Sequence, residues 1–157
     1  MEEKNLALLN MLSLDAIEVN IVVDNWIEAV RYSGKKLLEC GAIEERFIDA
    51  MIKTVKELGP YIVIAPGLAV PHARPEDGAL KPALAIITLK KPVNFGNPEN
   101  DPVHIVIALA AVDKTSHVKA LAQLAEFLQH EENIKKIREA KTKEDVYDAI
   151  RKFFKHS

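Results

Sequence analysis

Val103-His104-Ile105-Val106-Ile107-Ala108-Leu109-Ala110 is apolar at every position except His104. A strand with one wet face alternates apolar and polar residues. A short run without a polar side reads as a strand covered on both faces. Ala83 to Leu89 and Tyr61 to Ala65 read the same way, and Leu68 to Val70 adds a short strand. Ile17-Glu18-Val19-Asn20-Ile21 alternates, which predicts a strand with one wetter face. Helical periods flank these runs. Asp24 is placed to cap a helix carrying Trp26, Ile27, Val30, Leu37 and Leu38, ended near Cys40 by Gly41. Gly34 inside that helix implies close packing. Phe47, Ile48, Met51, Ile52, Val55 and Leu58 keep helical spacing until Gly59-Pro60 stops it. After the strands, Val118, Leu121, Ala122, Ala125 and Leu128 form another stripe, with Leu124 beside it, and Glu131 to Ala140 reads as a short helix. Thr142-Lys143-Glu144-Asp145 resembles a capping box before a last helix with Val146, Ala149, Ile150, Phe153 and Phe154. Helices before and after a strand cluster predict an α/β fold. Its core is a central mixed, mostly parallel sheet of about five strands, with helices on both faces.

The 157 residues fit one domain over 1–157, with residues 1–15 expected as an N-terminal helix or arm. The Pro/Asn-rich stretch Pro92 to Pro102 reads as a loop inside it, because strand-like runs lie close on both sides. A net charge of −2 argues against nucleic acid as a main partner, since phosphate backbones need a basic surface. Cys40 is the single cysteine, so no disulfide framework or cysteine-based zinc site can form within the chain. Met1-Glu2-Glu3-Lys4 lacks the basic start of a signal peptide. No apolar run approaches the roughly 20 residues that cross a bilayer. These features predict a cytoplasmic protein with no membrane insertion.

Chemistry concentrates in Ala65-Pro66-Gly67-Leu68-Ala69-Val70-Pro71-His72-Ala73-Arg74-Pro75-Glu76-Asp77-Gly78. Three prolines fix φ and push their preceding residues to extended backbone, so the chain at His72 is stiff. Histidine can act as a neutral nucleophile near pH 7. From the residues alone, His72 is either that nucleophile or a polar residue in a capped loop. His117 follows the cap formers Asp113-Lys114-Thr115-Ser116 and opens a helix beyond a buried strand. A helix N-terminus favours anions, so His117 and Ser116 could cradle a phosphoryl group, or His117 is a first-turn surface residue. His104, His130 and His156 read as structural or inert. A metal on His72 and His117 would need Asp113 or Glu76 as well, and no metal-binding helix spacing accompanies them. No metal and no cofactor is expected.

Two signatures resemble a known family. Gly67-Leu68-Ala69-Val70-Pro71-His72 is one. The other is Val106-Ile107-Ala108-Leu109-Ala110-Ala111 followed by Ser116-His117-Val118-Lys119-Ala120-Leu121-Ala122-Gln123-Leu124, with the Phe-Gly turn Val93-Asn94-Phe95-Gly96 between them. The chain resembles the enzyme IIA domains of the bacterial phosphoenolpyruvate-dependent sugar phosphotransferase system, mannitol/fructose-type superfamily. Pro60 to Gly67, Pro71 to Gly78, Asn100-Asp101-Pro102-Val103 and Ala110 to Asp113 look most like the L-ascorbate-type branch. The resemblance implies a phosphohistidine carrier. His72 would accept phosphate from HPr and pass it to a separate enzyme IIB, and indirectly serve the membrane permease enzyme IIC. It implies that His117 lines the same site. In the mannitol branch an arginine at the end of the preceding helix also serves the site. That position corresponds to Lys56 here, and lysine lacks the arginine fork. Either Lys56 or Arg74 supplies the cationic phosphoryl contact. The rivals are a regulatory IIA-like protein not coupled to transport, a metal-dependent hydrolase, and a pure ligand-binding module.

Overall fold

The structure is a computed structural model and describes residues 8–155. The expected N-terminal helix or arm therefore lies partly outside the described residues, as does His156. Residues 8–11 are helical and lead into strand β1, Leu12–Ile21. Two helices follow, α1 (Trp26–Glu39) and α2 (Glu45–Leu58). Then come β2 (Val63–Ala65), β3 (Leu68–Ala69), a single 3₁₀ turn at Pro75–Asp77, β4 (Ala83–Val93) and β5 (Val103–Ala110). Helices α3 (Lys114–Leu128), α4 (Glu131–Glu139) and α5 (Lys143–Lys155) complete the chain.

The five strands form one sheet in the order β1-β4-β5-β3-β2. It is mixed, but parallel pairing does not predominate. β1–β4 and β3–β5 are parallel, whereas β4–β5 and β2–β3 are antiparallel. Connection length explains this. Only residues 94–102 join β4 to β5, and residues 66–67 join β2 to β3. A parallel return needs a crossover of about a dozen residues or more.

Side chains of β5 divide between two cores. Val106, Ala108 and Ala110 join Phe47, Met51, Val30 and Leu37 of α1 and α2 on one face. Ile105, Ile107 and Leu109 join Leu124, Phe127, Ile137, Val146 and Ile150 of α3, α4 and α5 on the other. Helices cover both faces, and this is why the run shows no polar period.

Local chemistry sets the ends. α1 is capped by Asn25 rather than Asp24. The Asn25 Oδ1 accepts from the Glu28 amide at 3.0 Å, while the Glu28 carboxylate reaches back to the Asp24 amide at 2.7 Å. Moving the cap by one residue brings Glu28 to the third helical position, from which it can reach back to the entering backbone. Gly41 closes the helix with φ of 74°, as its left-handed conformation requires. A Cβ on Gly34 would stand 2.7 Å from Ile48 Cγ1, so only glycine allows α1 and α2 to approach this closely. Thr142 accepts from the Asp145 amide at 3.1 Å and starts α5.

Between β4 and β5, the Asp101 carboxylate takes the amides of Phe95, Gly96 and Asn97 at 2.8–2.9 Å. From that loop Asn100 donates to the Val63 carbonyl at 3.0 Å, and the Gly67 amide donates to the Asn100 carbonyl at 2.8 Å. The loop thus clamps the β2–β3 hairpin that delivers the chain to His72.

Candidate phosphoryl-transfer site

β3 runs parallel to β5, with Leu68 beside Ile105 and Ala69 beside Val106. Both strands therefore release the chain at the same end of the sheet. His72 follows β3, and His117 lies in the first turn of α3, just after β5. The Leu109 amide donates to the Pro71 carbonyl at 3.0 Å and ties the two exits together. The imidazoles of His72 and His117 stand with ring centroids 5.4 Å apart. Both line a cleft of about 920 Å³, with α2 forming one wall and residues 73–77 and 112–114 forming the rest.

His72 is half-buried, and its Nδ1 lies 2.9 Å from the Val70 carbonyl. A carbonyl only accepts, so Nδ1 carries the proton and donates. The neutral ring then keeps its lone pair on Nε2. Pro71 stiffens the two-residue link between donor and acceptor. At His117, burial lowers the pKa, and proximity to His72 lowers it further. His117 is therefore neutral near pH 7. Tyr61 stands edge-on to His72, with centroids 5.8 Å apart and planes at 87°.

The other candidate residues are placed differently. Arg74 lines the cleft and pairs with Asp77, its Nη2 3.3 Å from Oδ1. Its side chain is 75% exposed and can turn toward an anion. Lys56 is exposed on α2 but does not line the cleft. The α2 row facing the cleft is Ala50, Lys53, Thr54, Glu57 and Leu58, so Lys53 is the cation on that wall. Ser116 is committed to the α3 cap. Its amide donates to Asp113 Oδ1 at 2.7 Å and its hydroxyl to the same oxygen at 3.0 Å. The Asp113 carboxylate thus occupies the anion position at this helix end. Those hydrogen bonds, led by the Ser116 amide, hold its pKa low. Lys114, beside the cap, does line the cleft.

Lys53, Lys114 and Tyr61 line the cleft without being marked as site residues by any motif of the sequence. Tyr61 was expected in a buried strand, yet β2 begins at Val63 and Tyr61 is 47% exposed. Leu58 was assigned to the core stripe of α2 and is 72% exposed at the cleft. One signal was available. Leu58, Thr54 and Lys53 form a row beside the core stripe, ending where Gly59-Pro60 turns the chain. His104 is half-buried at the start of β5, the opposite end of that strand from the cleft. His130 takes the position before α4, its ring centroid 5.4 Å from that of Phe153. Among the described residues, no three His, Cys, Asp or Glu side chains converge in a way that could hold a metal ion. None of the described helices is long and apolar enough to cross a membrane.

Burial lowers the pKa of both His117 and His104, with the Arg138 charge a smaller cause at His104. This fixes the sign of a pH effect on stability. Below the unfolded value of about 6.5, the unfolded chain binds protons that the native chain resists, so stability falls as pH falls. Urea midpoints measured at pH 7.5 and 5.5 are expected to be lower at 5.5. The difference should shrink in a His104→Gln, His117→Gln double variant. An unchanged or higher midpoint at pH 5.5 in the wild type would contradict this assignment.

Residues 10–153 match the family model of the phosphoenolpyruvate-dependent sugar phosphotransferase system, EIIA 2. The chain is 39% identical over 136 residues to the ascorbate-specific PTS system EIIA component of Escherichia coli strain K12, covering 86% of this chain and 88% of the relative. The solution structure of the mannitol-specific cryptic phosphotransferase enzyme IIA CmtB from Escherichia coli superposes with a TM-score of 0.85 at 35% identity, covering 93% of this chain and 99% of that one. The mannitol enzyme IIA solved in complex with phosphorylated enzyme IIB from Escherichia coli shares the fold, with a TM-score of 0.79 at 24% identity, covering 90% of this chain and 99% of that one.

Proposed function

The chain belongs to the EIIA 2 family of the phosphoenolpyruvate-dependent sugar phosphotransferase system, and we propose that it is the phosphohistidine carrier of an L-ascorbate uptake system. The observation that carries this reading is the 2.9 Å contact between His72 Nδ1 and the Val70 carbonyl. With Nδ1 donating to the Val70 carbonyl, the lone pair is on Nε2, beside neutral His117 in an open cleft.

In the first step, Nε2 of His72 attacks the phosphorus of a phosphohistidine on HPr. A new N–P bond forms as the donor's N–P bond breaks, and the HPr imidazole leaves with the electron pair. In the second step, a cysteine thiolate of a separate enzyme IIB takes the phosphoryl group and His72 leaves as neutral imidazole. Charge spreads over three phosphoryl oxygens in each transition state, so positioning and electrostatic stabilisation carry the catalysis. His117 supplies a donor. Lys53, Arg74 and Lys114 supply positive charge around the cleft. The fork of Arg74 comes free if it turns from Asp77, a surface pair that holds it only weakly. The chain acts from solution in the cytoplasm and reaches the permease, enzyme IIC, only through enzyme IIB.

The branch rests on the 39% identity to the ascorbate-specific component. A IIA need never touch the sugar, so specificity enters through the choice of IIB. The segment beside His72 presents Arg74, Glu76 and Asp77 at the cleft, an alternation of charge that favours one partner and repels others. The test has two stages. The protein is incubated with labelled phosphoenolpyruvate, enzyme I and HPr. It is then offered purified IIB proteins of ascorbate, mannitol, fructose and galactitol types in competition. Label should reach the ascorbate-type IIB fastest, and Arg74→Glu should erode that preference. Preference for a mannitol- or fructose-type IIB would overturn the branch. Label that reaches no IIB would favour a regulatory role.

A further inference from the structure

The backbone of Val70 lies between the two rings. Its carbonyl accepts from His72 Nδ1 at 2.9 Å, and its amide donates to the Ile62 carbonyl at 2.8 Å. Ile62 is the neighbour of Tyr61. The turn holding Tyr61 is closed by the Val63 amide donating to the Pro60 carbonyl at 3.2 Å, and it follows the break at Gly59. Val70 thus bonds the His72 ring through its carbonyl and the backbone next to Tyr61 through its amide. Their rings meet edge-on at 87° with centroids 5.8 Å apart, a favoured aromatic arrangement. Among the described residues, the Tyr61 hydroxyl has no hydrogen-bond partner, so the ring alone links Tyr61 to the site. The hydrogen bond at Nδ1 selects the tautomer, but a single bond leaves the imidazole free to rock about it. A ring standing perpendicular to it restrains that motion, and the direction of the Nε2 lone pair with it.

We propose that Tyr61 is a positioning residue for phosphoryl transfer: its ring, standing perpendicular to the His72 imidazole, holds that imidazole in the plane that presents Nε2 to the cleft. The inference rests on His72 being the phosphoryl carrier. It assigns the effect to the ring and not to the hydroxyl, and to the rate of the transfer step and not to partner affinity.

The test compares Tyr61→Phe and Tyr61→Leu with the wild type, using phospho-HPr as donor. Single-turnover rates are measured against HPr concentration, and nitrogen-15 spectra follow the His72 ring. Tyr61→Phe should keep the limiting rate within about twofold. Tyr61→Leu should lower it roughly tenfold, the scale expected for losing one aromatic contact at a reacting group. Half-saturation should be unchanged, and the His72 Nδ1–H proton should exchange faster. Four outcomes overturn the proposal. They are a Tyr61→Leu rate equal to wild type, a loss confined to half-saturation, a Tyr61→Phe rate as low as that of Tyr61→Leu, and no through-space contact between Tyr61 and His72 ring protons in the wild-type protein. The last needs no variant and stands even if Tyr61→Leu fails to fold. Wild-type protein that takes no label on His72 would instead defeat the carrier reading itself.

Discussion

The His72→Gln variant is expected to take up no detectable phosphate from phospho-HPr while remaining folded. A phosphoryl carrier needs a lone pair aimed at the donor, held by a backbone that does not yield. His72 has both. Nδ1 is engaged by the Val70 carbonyl, Pro71 stiffens the link, and Nε2 is left as the basic atom. Glutamine has no nitrogen lone pair that can attack phosphorus, because its amide nitrogen is delocalised into the carbonyl. The other described imidazoles are not held in this way. His104 opens β5 at the end away from the cleft, and His130 packs beside Phe153. Among the described residues, no hydrogen bond fixes the tautomer of His117. The cost to the fold is small, since a half-buried side chain loses one hydrogen bond, worth about 1 kcal/mol. Incubation with labelled phosphoenolpyruvate, enzyme I and HPr, followed by mapping of acid-labile phosphate, checks this. Uptake at the wild-type rate by the variant would place the nucleophile elsewhere.

The covered strands were the most legible part of the chain. β5 runs from Val103 to Ala110 as its apolar run predicts, because burial on both faces leaves a signal that nothing interrupts. β4 was expected to stop at Leu89 but continues through exposed Lys90, Lys91 and Pro92 to Val93, which pairs with Val103. The strand outlasts its cover there, so backbone pairing persists where the apolar signal ends. β1 begins at Leu12 instead of Ile17 for another reason. Leu12 faces Leu84 and Ile17 faces Ile86, so β1 advances five residues while β4 advances two. A bulged strand loses its period of two, and with it the pattern that reveals a strand.

Within the cleft, the meeting of His72 and His117 was legible because both follow strands that finish at the same end of the sheet. The cations were not. Counting back along α2 selects Lys56, but each residue turns the helix by about 100°, and the row facing the cleft contains Lys53. Ser116 fails as a free donor through competition. Asp113, a better cap, takes both its amide and its hydroxyl. Sequence reveals that a helix begins there, but not which group has already claimed its first amides.

His117→Ala should slow transfer from phosphorylated His72 to enzyme IIB by roughly a hundredfold, the scale of losing one well-placed donor to a transition state. The phosphoryl group carries its charge into the space beside His72 Nε2, and His117 is the described imidazole that shares this space, its ring centroid 5.4 Å away. Its position is set by the helix start. The His117 amide donates to the Asp113 carbonyl at 3.2 Å, and Asp113 caps the turn from which the side chain projects. The ring is neutral at rest because burial, and then the neighbouring His72, oppose its charging. A neutral imidazole offers one N–H to a phosphoryl oxygen. Alanine leaves water in that place, and water must be reoriented as the charge moves. The phosphate should still form on His72 in this variant, because the nucleophile and its tautomer are untouched, and His117→Gln should recover part of the rate by restoring an N–H. Single-turnover transfer to the ascorbate-type IIB, with phosphate mapped before and after, separates the two roles. A His117→Ala protein that transfers at the wild-type rate would show that the cations of the cleft suffice without it.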